Sequence, residues 1–311
     1  MNTRKLIGRI LFTLLLIFVI VVVIAPVYFM LIMSLGDPQE TFATQHPKFF
    51  ISHLYFAAGP SDRDYTDTVW DKILPKWWLR VLIEDAPGGG VRFDTDLAKR
   101  MFKSLRVATL TAAFSLLIGV PGAYAISRLA PNLKYGLIIA LFITRMYPEV
   151  GIALPVAITF LKLDKILPVV MYDSVFGQEL ILAHMIITLP LTTWILIGTF
   201  DTIPRELEEA ASVDGAGRIR TIMRVVIPLA LPGIAVASIF AWLASWDEVT
   251  YAIYLTLFNR TLPLEIVNIV GRSPPPVIAT YATLVTIPVV IVTYFLQRYL
   301  RADYLAGAIK G

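Results

Sequence analysis

Four charged residues stand within or at the end of strongly apolar stretches: Arg145, Glu149, Asp247 and Glu248. A charge at membrane depth is costly, so such residues face a bundle interior or a water-filled path. Arg145 and Glu149 are spaced i, i+4, where opposite charges meet on one helix face. The pair either fixes helix register or lines a path. Trp242 and Trp246 share that spacing. Their ring faces can stack on sugar rings, although tryptophan is also enriched at membrane interfaces. On a helical wheel Ser238, Trp242, Ser245 and Trp246 fall within one arc of roughly 100°. Asp247, Tyr251 and Tyr254 fall nearly opposite. A lipid-facing stripe would not carry two hydroxyls, so the Ser/Trp arc is expected to face a partner or the substrate path. The Asp/Tyr arc is expected to pack inside, provided the helix stays regular past Trp246. His184 reads as a hydrogen-bonded packing residue.

Catalytic chemistry is missing. The chain has no Cys, hence no thiol nucleophile and no disulfide, and its other histidines, His46 and His53, are scattered. Neither a G-x-x-x-x-G-K-[ST] phosphate loop nor an H-E-x-x-H zinc motif occurs. No catalytic residue and no metal ligand set is expected.

The elements that position these residues are membrane spans. Of 311 residues 57% are hydrophobic and 16% charged, with a mean hydropathy of +0.72. Soluble domains carry about 45–50% apolar and about 25% charged residues, so a soluble enzyme and a disordered chain are both excluded. A span needs about 20 apolar residues. Six stretches qualify: 10–36, 107–127, 137–161, 180–200, 225–246 and 277–297. The runs are continuous rather than alternating, which excludes a membrane barrel. The first follows Arg4, Lys5 and Arg9 but is far longer than a signal-peptide core and lacks a cleavage site, so it reads as an uncleaved anchor.

With the N-terminus inside, the inner short loops and termini hold 12 Lys and Arg against 4 outside (Lys162, Lys165, Arg260 and Arg272). The positive-inside rule then places both termini in the cytoplasm. The net charge of +4 reflects these loops, and no nucleic acid is implied. Three regions result: an anchor helix at 1–36, an extracytoplasmic segment at 37–102 and a five-helix core at 103–311. The outer segment carries Trp70, Trp77, Trp78 and a linker at Gly88–Gly90, and serves as a surface cap or a docking surface. Proline occurs in or at the start of every span, which implies hinged helices in a protein that changes shape, or a bundle whose neighbours satisfy the freed carbonyls.

The inner loop at 201–224 is the most informative. Pro204 suits a first helical turn, and Glu206, Glu208 and Glu209 suit its positive end. Leu207, Ala210 and Ala211 form a narrow apolar face of mostly small side chains. Gly215 suits the left-handed residue that ends a helix. A second helix begins near Gly217 and runs through Arg218, Arg220 and Arg224 into the fifth span. The result is a helix–turn–helix on the cytoplasmic face, with side chains small enough for another protein to approach closely.

Glu209-Ala210-Ala211, Asp214-Gly215-Ala216 and Ile227-Pro228-Leu229 with Pro232 resemble the EAA loop of ABC-importer permeases. Leu189-Pro190 through Trp194 to Gly198-Thr199-Phe200, Trp246-Asp247-Glu248, Gln297-Arg298-Tyr299 and Gly307-Ala308-Ile309-Lys310-Gly311 narrow the resemblance to carbohydrate-type permeases similar to MalG of the maltose importer. It covers 101–311 well and 1–36 loosely. Lys103-Ser104 departs from a common Asn-Ser, Glu149 stands where an apolar residue or proline is common, and 37–102 is longer than usual.

The resemblance implies an all-α, MetI-like permease of six transmembrane helices in a bacterial or archaeal inner membrane. Glu209, Ala210, Ala211, Asp214, Gly215, Ala216 and Gly217 would form the coupling joint to an ATPase. It also implies a second homologous permease, two copies of the ATP-binding subunit, an extracytoplasmic solute-binding protein and a lipid surround. ATP and Mg would be held by the ATPase, with no cofactor in this chain. The substrate would be a sugar, a polyol or a glycerol-phosphate. The alternative is a stand-alone secondary transporter or channel whose ion path runs through Arg145, Glu149, Asp247 and Glu248.

Overall fold

A computed structural model describes residues 3–36, 75–85, 91–166 and 172–297. Trp70, the Gly88–Gly90 linker, His46, His53 and the motifs from Arg298 onward lie outside them. The described chain is all-α apart from a ribbon of two three-residue strands. In order it forms α1 (Thr3–Leu35), α2 (Lys76–Leu82), β1 (Ile83–Asp85), β2 (Val91–Phe93), α3 (Thr95–Ser127), α4 (Pro131–Met146), α5 (Glu149–Asp164), α6 (Gln178–Asp201), α7 (Arg205–Val213) and α8 (Arg218–Thr221). A π-helical turn (Ile222–Val226), α9 (Ile227–Trp246), α10 (Thr250–Leu255), α11 (Leu262–Ile269) and α12 (Pro275–Leu296) follow.

Among the described residues five helical stretches are long and apolar enough to span a membrane, and α4 with α5 forms a sixth only as a pair bent by 86°. The stretch 137–161, expected as one span, is therefore two helices meeting at a sharp bend. Pro148 forces the residue before it out of the helical region, and Tyr147 is extended at φ −70°, ψ 134°. At the other interior prolines (Pro26, Pro121, Pro155, Pro190, Pro232 and Pro288) the helices continue. Pro228 cannot donate to the carbonyl of Arg224, and the π turn sits beside that gap, closed by Ile227 N–H to Ile222 O.

The chain divides into two compact units, 1–97 with 266–287 and 98–265 with 288–311. In the first, the most apolar 18-residue window of α1 has no residue buried by the chain itself, and among its described side chains only Ile32 and Ser34 near its end are buried. Its end at Gly36 accepts a 3.1 Å hydrogen bond from the Trp77 indole. β1 and β2 pair antiparallel, Glu84 opposite Arg92. Asp94 caps α3, its carboxylate accepting from the N–H groups of Asp96 and Leu97 at 2.8 and 2.9 Å. That cap starts the helix ahead of residue 103.

The second unit holds two buried clusters. One joins Val107, Ala153, Ala157, Leu180, Ala183, Tyr251, Leu255 and Leu264. The other joins Ala123, Tyr124, Leu196, Phe200, Val226, Ala230 and Ala237. Small residues let helix backbones approach where lipid provides no hydrophobic drive between helices. Gly233 of α9 is the tightest case, because a Cβ there would fall on the Thr199 side chain of α6. Hydroxyls along α6 return to their own helix, as with Thr192 and Thr193 to the Leu189 carbonyl. Ser115 and Thr188 join α3 to α6 at 2.7 Å.

Candidate functional site

The loop between α6 and α9 folds as the expected helix–turn–helix. Pro204 is the residue before α7 rather than within its first turn, with ψ 138°. Glu206 and Glu208 occupy the first turn, favourable beside the positive end of the helix dipole. At the other end Gly215 takes φ +81°. Its N–H reaches Ser212 O at 3.0 Å, and the Ala216 N–H reaches Ala211 O at 2.9 Å. This pair of bonds is the Schellman closure, which needs a left-handed residue. Gly217 then leads into α8.

No residue of α7 is buried. Glu209, Ala210, Asp214, Gly215 and Gly217 are exposed, while Ala211 and Ala216 are half-buried. Leu207 is also exposed, and the apolar side chains of Val213 and Ile219 stand 88% and 77% exposed.

Glu208 alone of the acidic residues in α7 turns inward. Its Oε1 accepts from Arg128 Nε at 2.9 Å and Nη2 at 2.5 Å, and its Oε2 accepts from the Tyr124 hydroxyl at 2.6 Å. Arg128 also donates to the carbonyls of Phe200 at 3.1 Å and Ile203 at 3.4 Å. Its guanidinium lies 5.4 Å from the Tyr124 ring centroid. These residues border a polar cleft that Ser212, Ala216 and Arg218 complete. Arg128 is one of the 12 basic residues counted on the inner side. Its partner stands 80 residues away, beyond any local pattern.

The residues proposed for a substrate path are placed differently from expectation. Trp242 and Trp246 stack with centroids 5.0 Å apart and planes 10° apart, and they are only 6% and 3% exposed. The Trp242 indole donates to Thr109 Oγ1 at 3.3 Å. Ser245 is buried against His184 Nδ1 at 2.8 Å, and the hydroxyl of half-buried Ser238 bonds back to Ala235 O at 2.7 Å. Trp242, Ser245 and Trp246 are therefore packed inside this chain, and Ser238 is half-buried. The condition attached to the arcs also fails, because α9 ends at Trp246 with Asp247 as its C-cap. Asp247 is exposed, and Tyr251 is buried on the separate helix α10.

Glu248 is buried, its Oε2 standing 3.1 Å from His184 Nε2. Neither of these two atoms makes a hydrogen bond. Its other oxygen accepts the Tyr251 N–H at 2.8 Å. His184 thus packs as expected, with a serine and a carboxylate three residues apart on the facing segment. Arg145 and Glu149 approach to 3.6 Å, but across the bend between α4 and α5 rather than on one helix face, and both stay partly exposed. Nothing joins the four charges into one path: Arg145 meets Glu149, Glu248 meets His184, and Asp247 faces out.

Sequence reasoning missed one further centre. The buried ammonium of Lys103 donates to Ser174 O at 2.6 Å and Asn259 O at 2.7 Å, and pairs with Glu179 at 3.2 Å. Ser104 accepts the Leu262 N–H at 2.8 Å. Asp173 gathers the N–H groups of Leu257, Phe258 and Asn259. The Lys103-Ser104 pair that departs from Asn-Ser therefore holds two loops together. Among the described residues no cluster of His, Asp and Glu could hold a metal.

Residues 115–305 match the family described as the binding-protein-dependent transport system inner membrane component. The chain is 34% identical over 218 residues to a putative ABC transporter permease protein, ORF1, of Streptomyces antibioticus, covering 69% of this chain and 92% of that one. It is 36% identical over 227 residues to the sulfoquinovosyl glycerol transport system permease protein SmoH of Agrobacterium fabrum, covering 70% and 75%. With the trehalose/maltose transport system permease protein MalG of Thermococcus litoralis it shares 31% over 215 residues, covering 67% and 74%. Among solved structures, a bacterial ABC transporter involved in import of the acidic polysaccharide alginate aligns over 97% of this chain and 99% of that one, with a TM-score of 0.66 at 21% identity.

Proposed function

The chain belongs to the family of binding-protein-dependent transport system inner membrane components, and from that premise we propose that it forms half of the translocation path of an ATP-driven carbohydrate importer. It is a multi-pass membrane subunit without catalytic machinery of its own. The solutes named for its relatives, sulfoquinovosyl glycerol and trehalose or maltose, support a sugar or sugar glycoside as cargo. The exposed helix–turn–helix carries the mechanistic reading. Among the described residues Val213 and Ile219 are left largely uncovered, and the turn is fixed by a left-handed glycine. Glu209, Ala210, Ala211 and the turn from Asp214 to Gly217 dock on an ATPase subunit. That subunit binds ATP and Mg and passes its closing motion upward.

Two such ATPase copies, a second homologous permease and an extracytoplasmic solute-binding protein complete the importer. Both termini are cytoplasmic, on the asymmetry of 12 basic residues against 4. With no native cysteine, orientation is directly testable. Pro60→Cys and Gly90→Cys label with an impermeant thiol reagent from outside, whereas Asn132→Cys and Gly217→Cys do not; the opposite pattern reverses the topology. The stand-alone transporter reading is not favoured, since its four charges form no continuous path.

A further inference from the structure

Helix α7 has no buried side chain, so apolar packing does not fix it to the membrane body. It touches its own continuation, α8 and the π turn. Among the described residues, every side-chain hydrogen bond or ion pair that links 205–213 to other elements runs to Arg128 or Tyr124. Both residues belong to the end of α3, Arg128 standing just past its last turn. Arg128 also donates to the Phe200 carbonyl in the last turn of α6 and to the Ile203 carbonyl just past it, at the helix end whose dipole favours a cation. One guanidinium thus joins the ends of two spans to Glu208 of α7. Only arginine offers donors in a fixed planar fork that can serve three directions at once. The side chains of Arg128 and Glu208 are 13% and 18% exposed, so solvent screens the pair little.

We infer that Arg128, with Tyr124, is the positioning link that transmits displacement of the coupling helix α7 into α3 and α6. This rests on the reading of α7 as the ATPase-docking helix. When α7 moves with the ATPase, the charge-assisted bonds through Glu208 carry the ends of both spans with it. Without the guanidinium, α7 is tied to the body mainly through its own turn into α8, and the ends of α3 and α6 are left behind. Docking and ATP hydrolysis then persist while transport fails to follow.

The test uses the assembled importer, with its ATPase and solute-binding protein, in proteoliposomes. Copurification of the ATPase, ATP hydrolysis and uptake of labelled maltose or trehalose are read separately. Arg128→Gln is expected to retain the ATPase and its hydrolysis while sugar imported per ATP falls about five-fold or more, the span of a typical coupling free energy. Arg128→Lys keeps the charge and recovers part of the ratio. Tyr124→Phe and Glu208→Gln, each a smaller change, lower it in the same direction and serve if Arg128→Gln fails to insert. Wild-type sugar per ATP in Arg128→Gln, or in both smaller variants, overturns the link. Leu207→Asp tests the underlying reading independently, because a charge on the exposed apolar face should abolish copurification of the ATPase. Retained copurification in Leu207→Asp overturns the docking reading instead.

Discussion

Gly215 is the residue whose replacement is most sharply bounded by the structure. Its φ is +81°, and nothing lies within 4 Å of where a Cβ would stand. Space therefore costs nothing, and the whole penalty is conformational. A left-handed backbone costs an ordinary L-residue roughly 1–2 kcal/mol, asparagine less, and a β-branched residue most. One to two kcal/mol is a factor of about 5–30 in a local equilibrium. Loss of the left-handed residue opens the bonds from Gly215 to Ser212 and from Ala216 to Ala211, and the docking helix loses its fixed angle to α8. A series Gly215→Asn, Gly215→Ala and Gly215→Val should lower transport in that order, with valine losing most of it. Binding-protein stimulation of ATP hydrolysis should fall in parallel. Membrane insertion should be unchanged, because the turn is exposed and outside both cores. The assay is uptake and stimulated hydrolysis in proteoliposomes at matched subunit content. Equal transport across the series would refute the claim that this turn fixes the docking helix.

Replacing His184 by Leu removes the partner of the buried Ser245 hydroxyl, and leaving a buried polar group unsatisfied costs about 1–3 kcal/mol; a drop in thermal midpoint of the detergent-purified subunit checks this. Ser245→Ala, which removes one buried hydrogen bond, should cost about 1 kcal/mol by the same measurement. Gly233→Ala should impair folding through collision with Thr199, and Thr199→Ala in the same chain should restore it, read by the yield of monodisperse protein. Trp246→Ala should destabilise the subunit by about 3–5 kcal/mol and reduce assembly as well as transport, while Ser245→Cys should stay unreactive to a small polar thiol reagent in the resting state.

Span positions and the helix–turn–helix were legible in the sequence because both are local signals: length, hydropathy, an acidic first turn and a terminal glycine. The bend before Pro148 was not. Proline recurs in every span, and residue type alone does not separate Pro148, where the helix stops, from Pro155 or Pro190, where it continues. The inward packing of Trp242 and Ser245 was missed because the wheel argument gave the hydroxyls no partner, whereas the structure satisfies Ser238 within its own helix and Ser245 through His184. Lys103 and Arg128 were missed for one shared reason. Each is a lone basic residue whose acceptors lie 71 to 156 and 72 to 80 positions away, and only the assembled helices bring them within reach.

The central claim is that this subunit transports only as part of an ATP-driven assembly. Uptake of labelled maltose, trehalose and glycerol-phosphate into proteoliposomes, with and without the ATPase subunit, tests it most directly. The account predicts ATP-dependent uptake of at least one of these solutes in the complete complex with its loaded binding protein, and none from vesicles holding the permease alone under a proton or sodium gradient. Gradient-driven uptake by the permease alone, at a rate the ATPase does not change, would contradict it.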